Sequence, residues 1–153
     1  MEKMKNNENK SICSICGGRC CKSMGCHLSP EDVFRGEEPN VMSILKLLKT
    51  GYFSVDWWEG DPRAEISEDM ALYITMFIRV MNVNGKVIDP SWGGKCKLLT
   101  SHGCALSFEQ RPKGGKALIP QADFNCQSSY DKKEAAIEWV PYQDLISRAL
   151  DLL

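Results

Sequence analysis

The residues best suited to chemistry in this chain are its cysteines, which make up 8 of the 153 residues. They fall into two groups along the sequence. The first group lies within fourteen residues and comprises Cys13, Cys16, Cys20, Cys21 and Cys26. The second group is more widely spaced and comprises Cys96, Cys104 and Cys126. Clustered thiolate sulfurs are typical ligands of zinc, iron and iron–sulfur centres, so the clustering predicts a metal site.

The spacing within the first group suits metal binding. Cys13 and Cys16 are separated by two residues, which lets one tight loop direct two sulfurs at a single ion. Gly17 and Gly18 then allow the backbone to wrap before the next two cysteines. A site that used both groups would close a loop of about 70 residues, and closing a long loop is where a metal contributes most to folding. We therefore expect cysteines from segments 13–26 and 96–126 to converge.

Disulfide bonds are the main alternative for these thiols, and they persist mainly in proteins exported from the reducing cytoplasm. Residues 1–11 are charged and Asn-rich, without the apolar run of a secretory signal peptide. The longest apolar stretch, 70–83, is interrupted by Thr75 and Arg79 and is shorter than the roughly 20 residues of a membrane-spanning helix. We expect a cytoplasmic protein with no membrane partner, in which the thiols stay reduced and bind metal.

The sequence leaves the identity of the metal open. The gap of three residues between Cys16 and Cys20 departs from the C-x-x-C-x-x-C run of a bacterial ferredoxin. Zinc, iron and an iron–sulfur cluster all remain candidate cofactors. The two histidines, His27 and His102, each lie within two residues of a cysteine. Either is a ligand or a polar residue beside the site.

Charge and motifs narrow the function classes. Nineteen basic and 20 acidic residues give a net charge of −1, so we do not expect nucleic-acid binding, and a protein partner is left open. No G-x-G-x-x-G loop follows a predicted strand, and the segment 113–116 (KGGK) lacks the strand–loop–helix context and the hydroxyl of a phosphate-binding P-loop.

We favour a non-enzymatic metal-binding protein. The alternative is a redox or protein-modification enzyme, or an accessory factor, that uses the cluster catalytically.

Local signals predict short helices and one strand pair. Ser29-Pro30 begins a helix that ends by Gly36, and a second helix runs from Asn40 to Gly51. Segments 52–58 and 72–80 have strand composition and are expected to pair antiparallel. Segment 90–130 is predicted to be mostly loop, with one turn at 107–110. Segment 131–153 is predicted to be helical and split at Pro141, and the residues expected on its buried face are Ala135, Ala136, Ile137, Leu145, Ile146, Leu150 and Leu153.

These elements predict an α+β fold: a small single domain of short helices and an antiparallel strand pair, with cysteine-rich loops tied by metal. Residues 1–11 are expected to be a flexible leader, and residues 12–153 a single metal-binding domain. The size fits one ordinary domain, with 43% hydrophobic and 25% charged residues near the globular average.

The two cysteine blocks resemble a known family. Cys13-x2-Cys16-x3-Cys20-Cys21 is similar to the signature of the CxxCxxCC family, also called YkgJ-family cysteine cluster proteins, which are described as zinc- or iron-chelating domains. Cys96 to Cys104, followed by Arg111-Pro112, resembles the second block of that family. The resemblance implies metal binding. Gly115 stands where the family usually places a further cysteine, which makes Cys26 or Cys126 a candidate substitute ligand.

Overall fold

The computed structural model describes residues 26–63, 74–90, 96–100, 103–104, 108–116, 118–119, 127–128 and 130–153. These residues form short helices and a two-stranded antiparallel sheet, which confirms the predicted α+β class. The helices are α1 (Pro30–Phe34), α2 (Val41–Lys49), α3 (Lys113–Lys116), α4 (Lys132–Trp139) and α5 (Gln143–Asp151). The strands are β1 (Phe53–Glu59), β2 (Ile74–Val80), β3 (Leu99–Thr100), β4 (Gly103–Cys104), β5 (Leu118–Ile119) and β6 (Gln127–Ser128).

Strands β1 and β2 form the centre of the described structure. They pair antiparallel over seven residues each, from Phe53 opposite Val80 to Glu59 opposite Ile74. Side chains on both faces of this pair are buried: Val55 and Ile78 belong to one face, and the neighbouring pair, Asp56 and Phe77, belongs to the other. The pairing confirms the prediction for these strands. The expected start of the second strand at Leu72 lies outside the described residues.

Single bridges widen the strand pair on both sides. His27 pairs antiparallel with Arg79 on the edge of β2, and Ile88 pairs parallel with Val55 on the edge of β1. The chain reaches Ile88 through a turn in which Gly85 N–H donates to the Asn82 carbonyl at 3.1 Å. Gly85 has a φ of 74°, which glycine adopts without strain. The Asn84-Gly85 pair in this turn is a common turn sequence.

Side-chain caps begin the predicted helices. Ser29 and Asp32 form a reciprocal capping box at the start of α1. Asn40 Oδ1 accepts from Ser43 N–H at 2.8 Å at the start of α2. Asp131 Oδ1 accepts from Glu134 N–H at 2.9 Å at the start of α4. Each such cap stabilises a helix by about 1 kcal/mol, which explains why these boundaries follow the sequence signals.

The C-terminal helices pack against the sheet and complete the core. Helix α4 ends at Trp139, a 3₁₀ turn containing Pro141 follows, and α5 begins at Gln143, so the predicted split is confirmed. Trp139 is fully buried, and its indole Nε1 donates to the Leu28 carbonyl at 2.8 Å. The expected burial of Leu153 is wrong: it is 50% exposed, because it lies beyond the last turn of α5.

The predicted loop segment contains more regular structure than expected. Short strands pair as β3–β4 and β5–β6, and α3 lies between these pairs in the sequence. A 3₁₀ turn at Phe108–Gln110 agrees with the predicted turn. Strands of two residues carry no periodic signal, so composition could not reveal them. No helix in the described part of the chain is long and apolar enough to cross a membrane.

Candidate metal centre

The structure describes only part of the predicted ligand set. Cys13, Cys16, Cys20, Cys21 and Cys126 lie outside the described residues, as does His102. Cys104 is in β4, opposite Leu99, and only its backbone is described. Cys26 is half-buried and Cys96 is buried within the core. Both groups of the sequence are therefore represented, each by one fully described cysteine.

Cys26, the last residue of the first group, begins a short extended segment on the edge of β2. Val80 N–H donates to the Cys26 carbonyl at 2.8 Å, and Leu28 N–H donates to the Ile78 carbonyl at 2.9 Å. These two bonds fix the backbone of residues 26–28 against the sheet. Cys26 is consequently attached to the C-terminal end of β2.

Cys96, the first residue of the second group, is attached close by. It bridges Asn82, and the next residue, Lys97, donates its N–H to the Met81 carbonyl at 2.9 Å. Met81 N–H donates to the Tyr52 carbonyl just before β1, so Cys96 lies on the β1 side of this strand end. The Lys97 ammonium donates to the Gly51 carbonyl at 2.6 Å. Cys26 and Cys96 thus lie at the same end of β2, on opposite edges.

Helix α3 brings the second half of the chain into direct contact with the first half. Gly114 N–H donates to the His27 carbonyl at 3.0 Å. A Cβ atom at position 114 would lie 2.7 Å from both the backbone nitrogen and the backbone oxygen of His27. Lys113 N–H donates to Asp32 Oδ2 at 2.9 Å, which holds the same turn against α1. The segment that follows Cys104 therefore packs directly on the end of the first cysteine group.

The His27 side chain is held in a largely buried environment. Its ring centroid lies 5.3 Å from that of Phe77, and Nε2 is buried without a hydrogen-bond partner among the described residues. Burial lowers the pKa of His27 to about 4, and the nearby Arg79 guanidinium contributes to this lowering. A hydrogen bond with the Tyr130 backbone and the Asp131 carboxylate act in the opposite direction. The imidazole is therefore neutral at pH 7.

A buried ionic network supports this part of the sheet. Arg79 is fully buried, and its guanidinium contacts Asp56 Oδ2 at 3.0 Å and Asp89 Oδ2 at 3.1 Å. It also donates to the Val80 and Asp89 carbonyls at 3.0 and 2.8 Å. Because Arg79 is the bridge partner of His27, the network fixes the strand to which the first group is attached. An isolated arginine in a strand gave no sequence signal for this role.

The described residues do not contain a complete metal site. Within them, no group of three His, Cys, Asp or Glu side chains is placed to hold an ion. A set of three or more ligands would therefore draw on side chains beyond those that the structure describes. Sequence reasoning also missed Gly114, whose small size is required only because the His27 backbone lies against it.

Comparison of the chain with protein-family models, with curated proteins and with solved structures gives no match. The resemblance of the cysteine blocks to the CxxCxxCC family therefore stays a prediction. The function has to be argued from the residues themselves.

Proposed function

We propose that this chain is a metal-binding protein in which cysteines of the two groups hold zinc or iron and tie the N-terminal segment to the second half of the domain. The observation that carries the proposal is the contact between Gly114 and His27. It brings the residue after Cys26 against the helix that follows Cys104. Thiolate ligands from both sides of this contact would close the long loop between them.

The sheet geometry refines which cysteines share an ion. Cys26 and Cys96 lie on opposite edges of β2, opposite Val80 and Asn82. Adjacent strands are about 4.8 Å apart, so the backbones on the two edges are separated by about 10 Å, with a further offset of two residues along the strand. Two cysteines that share one zinc, with Zn–S bonds of about 2.3 Å, favour a closer approach of their backbones. We therefore propose that Cys26 and Cys96 do not share an ion.

A reducing location follows from this chemistry. Thiolates bind metal only when they are not oxidised to disulfides, so we propose that the protein works in the cytoplasm. The near-zero net charge supports a role that does not depend on nucleic acid. The role proposed is structural rather than catalytic, with the metal as a clip between two segments.

The first test is metal content. The full chain is purified without oxygen, and zinc and iron are measured by elemental analysis together with a visible spectrum and a thiol titration. At least one ion per chain and protected thiols are expected. A metal content well below one ion per chain, with the eight thiols reacting freely, contradicts the proposal. A reducible visible chromophore would identify the centre as iron–sulfur, and a colourless protein with zinc would identify the zinc form.

The second test asks whether both groups contribute. Cys16→Ser and Cys104→Ser remove one thiol from each group, and Ser14→Ala is the matched control because it changes a residue between Cys13 and Cys16 without removing a thiol. Both cysteine variants are expected to lower metal content, and the control is expected to keep it. If the serine variants of Cys96, Cys104 and Cys126 all retained the full metal content, the site would draw on the first group alone and the proposed clip would be wrong.

A further inference from the structure

The turn that follows β2 contains a chemically reactive pair of residues. Asn84 is the one asparagine of the chain that precedes a glycine. In such a pair the backbone nitrogen of the glycine can attack the side-chain Cγ of the asparagine, because glycine has no side chain to block the approach. Asn84 is exposed, and a Cβ atom built on Gly85 would meet no described neighbour within 4 Å. The described structure therefore leaves room beside Gly85 for the ring that this attack forms.

Ordinary amide chemistry defines the product of the attack. The Gly85 nitrogen forms a bond to Asn84 Cγ and gives up its proton, the Cγ–Nδ2 bond breaks, and Nδ2 leaves as ammonia. Water then opens the cyclic imide at either carbonyl, so residue 84 becomes aspartate or isoaspartate. Nothing is oxidised or reduced, and water is the only co-reactant. The net change replaces a neutral amide with a carboxyl group that is ionised at pH 7.

Three hydrogen bonds hold the reacting groups in the folded turn. Gly85 N–H donates to the Asn82 carbonyl at 3.1 Å, which engages the nucleophile. Lys86 N–H donates to Asn84 Oδ1 at 3.0 Å, and Asn84 Nδ2 donates to Asp89 Oδ2 at 2.9 Å. The attack requires the first of these bonds to open, and the loss of Nδ2 removes the third. The folded turn therefore slows the reaction without preventing it.

The position of Asp89 determines what the reaction does to the structure. Asp89 is buried, and its Oδ2 also contacts the Arg79 guanidinium at 3.1 Å. An ionised carboxylate at position 84 has no proton to donate to Asp89 Oδ2, and two like charges at hydrogen-bond distance repel each other. The original turn is therefore disfavoured once residue 84 is an acid.

We propose that Asn84 is a deamidation site, and that its conversion to aspartate or isoaspartate irreversibly releases the turn between β2 and segment 86–89 from the buried ionic network. Segment 86–89 supports the sheet, because Val55 N–H donates to the Val87 carbonyl and Asp89 N–H donates to the Val55 carbonyl. Ageing of the chain at Asn84 therefore loosens the edge of β1. The inference does not depend on the proposed metal-binding function, since no cysteine takes part in it.

The first test follows the intact full chain during incubation at neutral pH. Peptide mapping by mass spectrometry locates the replacement of NH2 by OH, and an isoaspartate methyltransferase labels the product. Asn84 is expected to react ahead of Asn40 and Asn82, both of which precede valine. The rate at Asn84 is expected to rise by about tenfold or more in urea, because the turn is then open. Asn84→Gln is the matched control: it keeps a side-chain amide and is expected to stay unreacted over the same period.

The second test uses Asn84→Asp, which reproduces one of the two products. Its melting temperature at pH 7 is expected to be lower than that of wild type by about 2–4 °C or more. This difference is expected to shrink as the pH falls toward about 4, where the added carboxyl becomes neutral. Asn84→Ser is the control, since it removes the same amide without adding a charge and is expected to show no such pH dependence.

Three results would overturn the proposal: another asparagine that reacts first in the folded protein, a rate at Asn84 that is the same in urea, or an Asn84→Asp variant as stable as wild type at pH 7. If Asn84→Asp does not fold, the deamidated fraction of wild type is separated by ion exchange instead. Hydrogen exchange at the Val55 amide is then expected to be faster in that fraction than in unreacted protein. Equal exchange in the two fractions would show that the turn survives the change.

Discussion

The amide nitrogen of Gly114 lies 3.0 Å from the carbonyl oxygen of His27, although the two residues are 87 positions apart in the sequence. A Cβ atom on residue 114 would lie 2.7 Å from the His27 backbone. This contact joins the end of the first cysteine group to the helix that follows Cys104. It therefore couples the packing of the domain to the candidate metal centre.

Gly114→Ala is expected to destabilise the domain by about 1–3 kcal/mol, the usual cost of forcing an extra methyl group into a packed position. The clashing atoms belong to the backbone, so a change of rotamer cannot relieve them. Denaturant unfolding monitored by tryptophan fluorescence measures the change. Glu109→Ala is the control, because Glu109 is exposed in the preceding 3₁₀ turn. Equal stability of Gly114→Ala and wild type would show that α3 does not pack on His27.

Arg79→Met is expected to cost about 3–5 kcal/mol, because it removes the buried guanidinium that pairs with the carboxylates of Asp56 and Asp89. Adding Asp56→Asn to this variant is expected to recover part of the loss, since one of the two buried carboxylates that Arg79 contacts is then neutral. Thermal or denaturant unfolding measures both variants.

The control for the Arg79 variant is Arg63, which forms an exposed ion pair with Asp61. Arg63 contacts Asp61 at 3.0 Å, and the Arg63 side chain is 60% exposed. Arg63→Ala is therefore expected to change stability by less than about 1 kcal/mol. A similar loss for the Arg79 and Arg63 variants would contradict the buried network.

The parts of this fold that the sequence predicts are those set by short-range chemistry. Ser29 and Asp32 are three residues apart, and their capping box is visible as a sequence motif. The β-branched and aromatic composition of β1 and β2 likewise indicates strands before any partner is known. Pro141 interrupts the C-terminal helical segment because its ring and missing N–H are incompatible with a continuous helix.

The parts that the sequence does not predict depend on residues far apart in the chain. Trp139 donates to the carbonyl of Leu28 across 111 positions, and nothing local indicates that partner. The need for glycine at 114 arises only from the His27 backbone beside it. The candidate site shows the same limit. Cysteine spacing indicates the chemistry, whereas the attachment of Cys26 and Cys96 to one end of β2 depends on tertiary contacts.

Gln143 completes the edge of β2, and its substitution gives a further prediction. Its side-chain Oε1 accepts from Met76 N–H at 2.7 Å and its Nε2 donates to the Met76 carbonyl at 2.8 Å. Gln143→Ala is expected to lose about 1.5–4.5 kcal/mol, because it removes these two hydrogen bonds and a third from Nε2 to the Trp139 carbonyl at 2.8 Å, each worth about 0.5–1.5 kcal/mol. Hydrogen exchange at the Met76 amide is expected to accelerate.

Two variants make the Gln143 prediction specific. Gln143→Glu keeps an acceptor for Met76 N–H and loses the donor, so an intermediate effect is expected. Ser147→Ala changes an exposed residue of the same helix and is expected to leave the Met76 exchange rate unchanged. Rapid exchange at Met76 in wild type would show that this edge of β2 is open.

Removal of the metal by a chelator is expected to affect one end of the sheet more than the core. The Leu28 and Lys97 amides belong to the segments that carry Cys26 and Cys96, and the Val80 amide donates to the Cys26 carbonyl. Hydrogen exchange at these three amides is therefore expected to accelerate by about tenfold or more. Val55 N–H donates to the Val87 carbonyl at 2.7 Å and not to the segments of Cys26 or Cys96, and its protection is expected to persist.

The reason for this difference is the composition of the core. The buried core consists mainly of aliphatic and aromatic side chains such as Ile44, Val55, Ile78, Trp139 and Ile146, and Cys96 lies among them. Their burial supports the helices and the strand pair after the metal is lost, so far-UV circular dichroism is expected to change little while the melting temperature falls. Readdition of zinc or iron should restore protection at Leu28 and Val80. Equal loss of protection at Val55 and Val80 would show instead that the metal supports the whole domain, as in a zinc finger that unfolds without its ion.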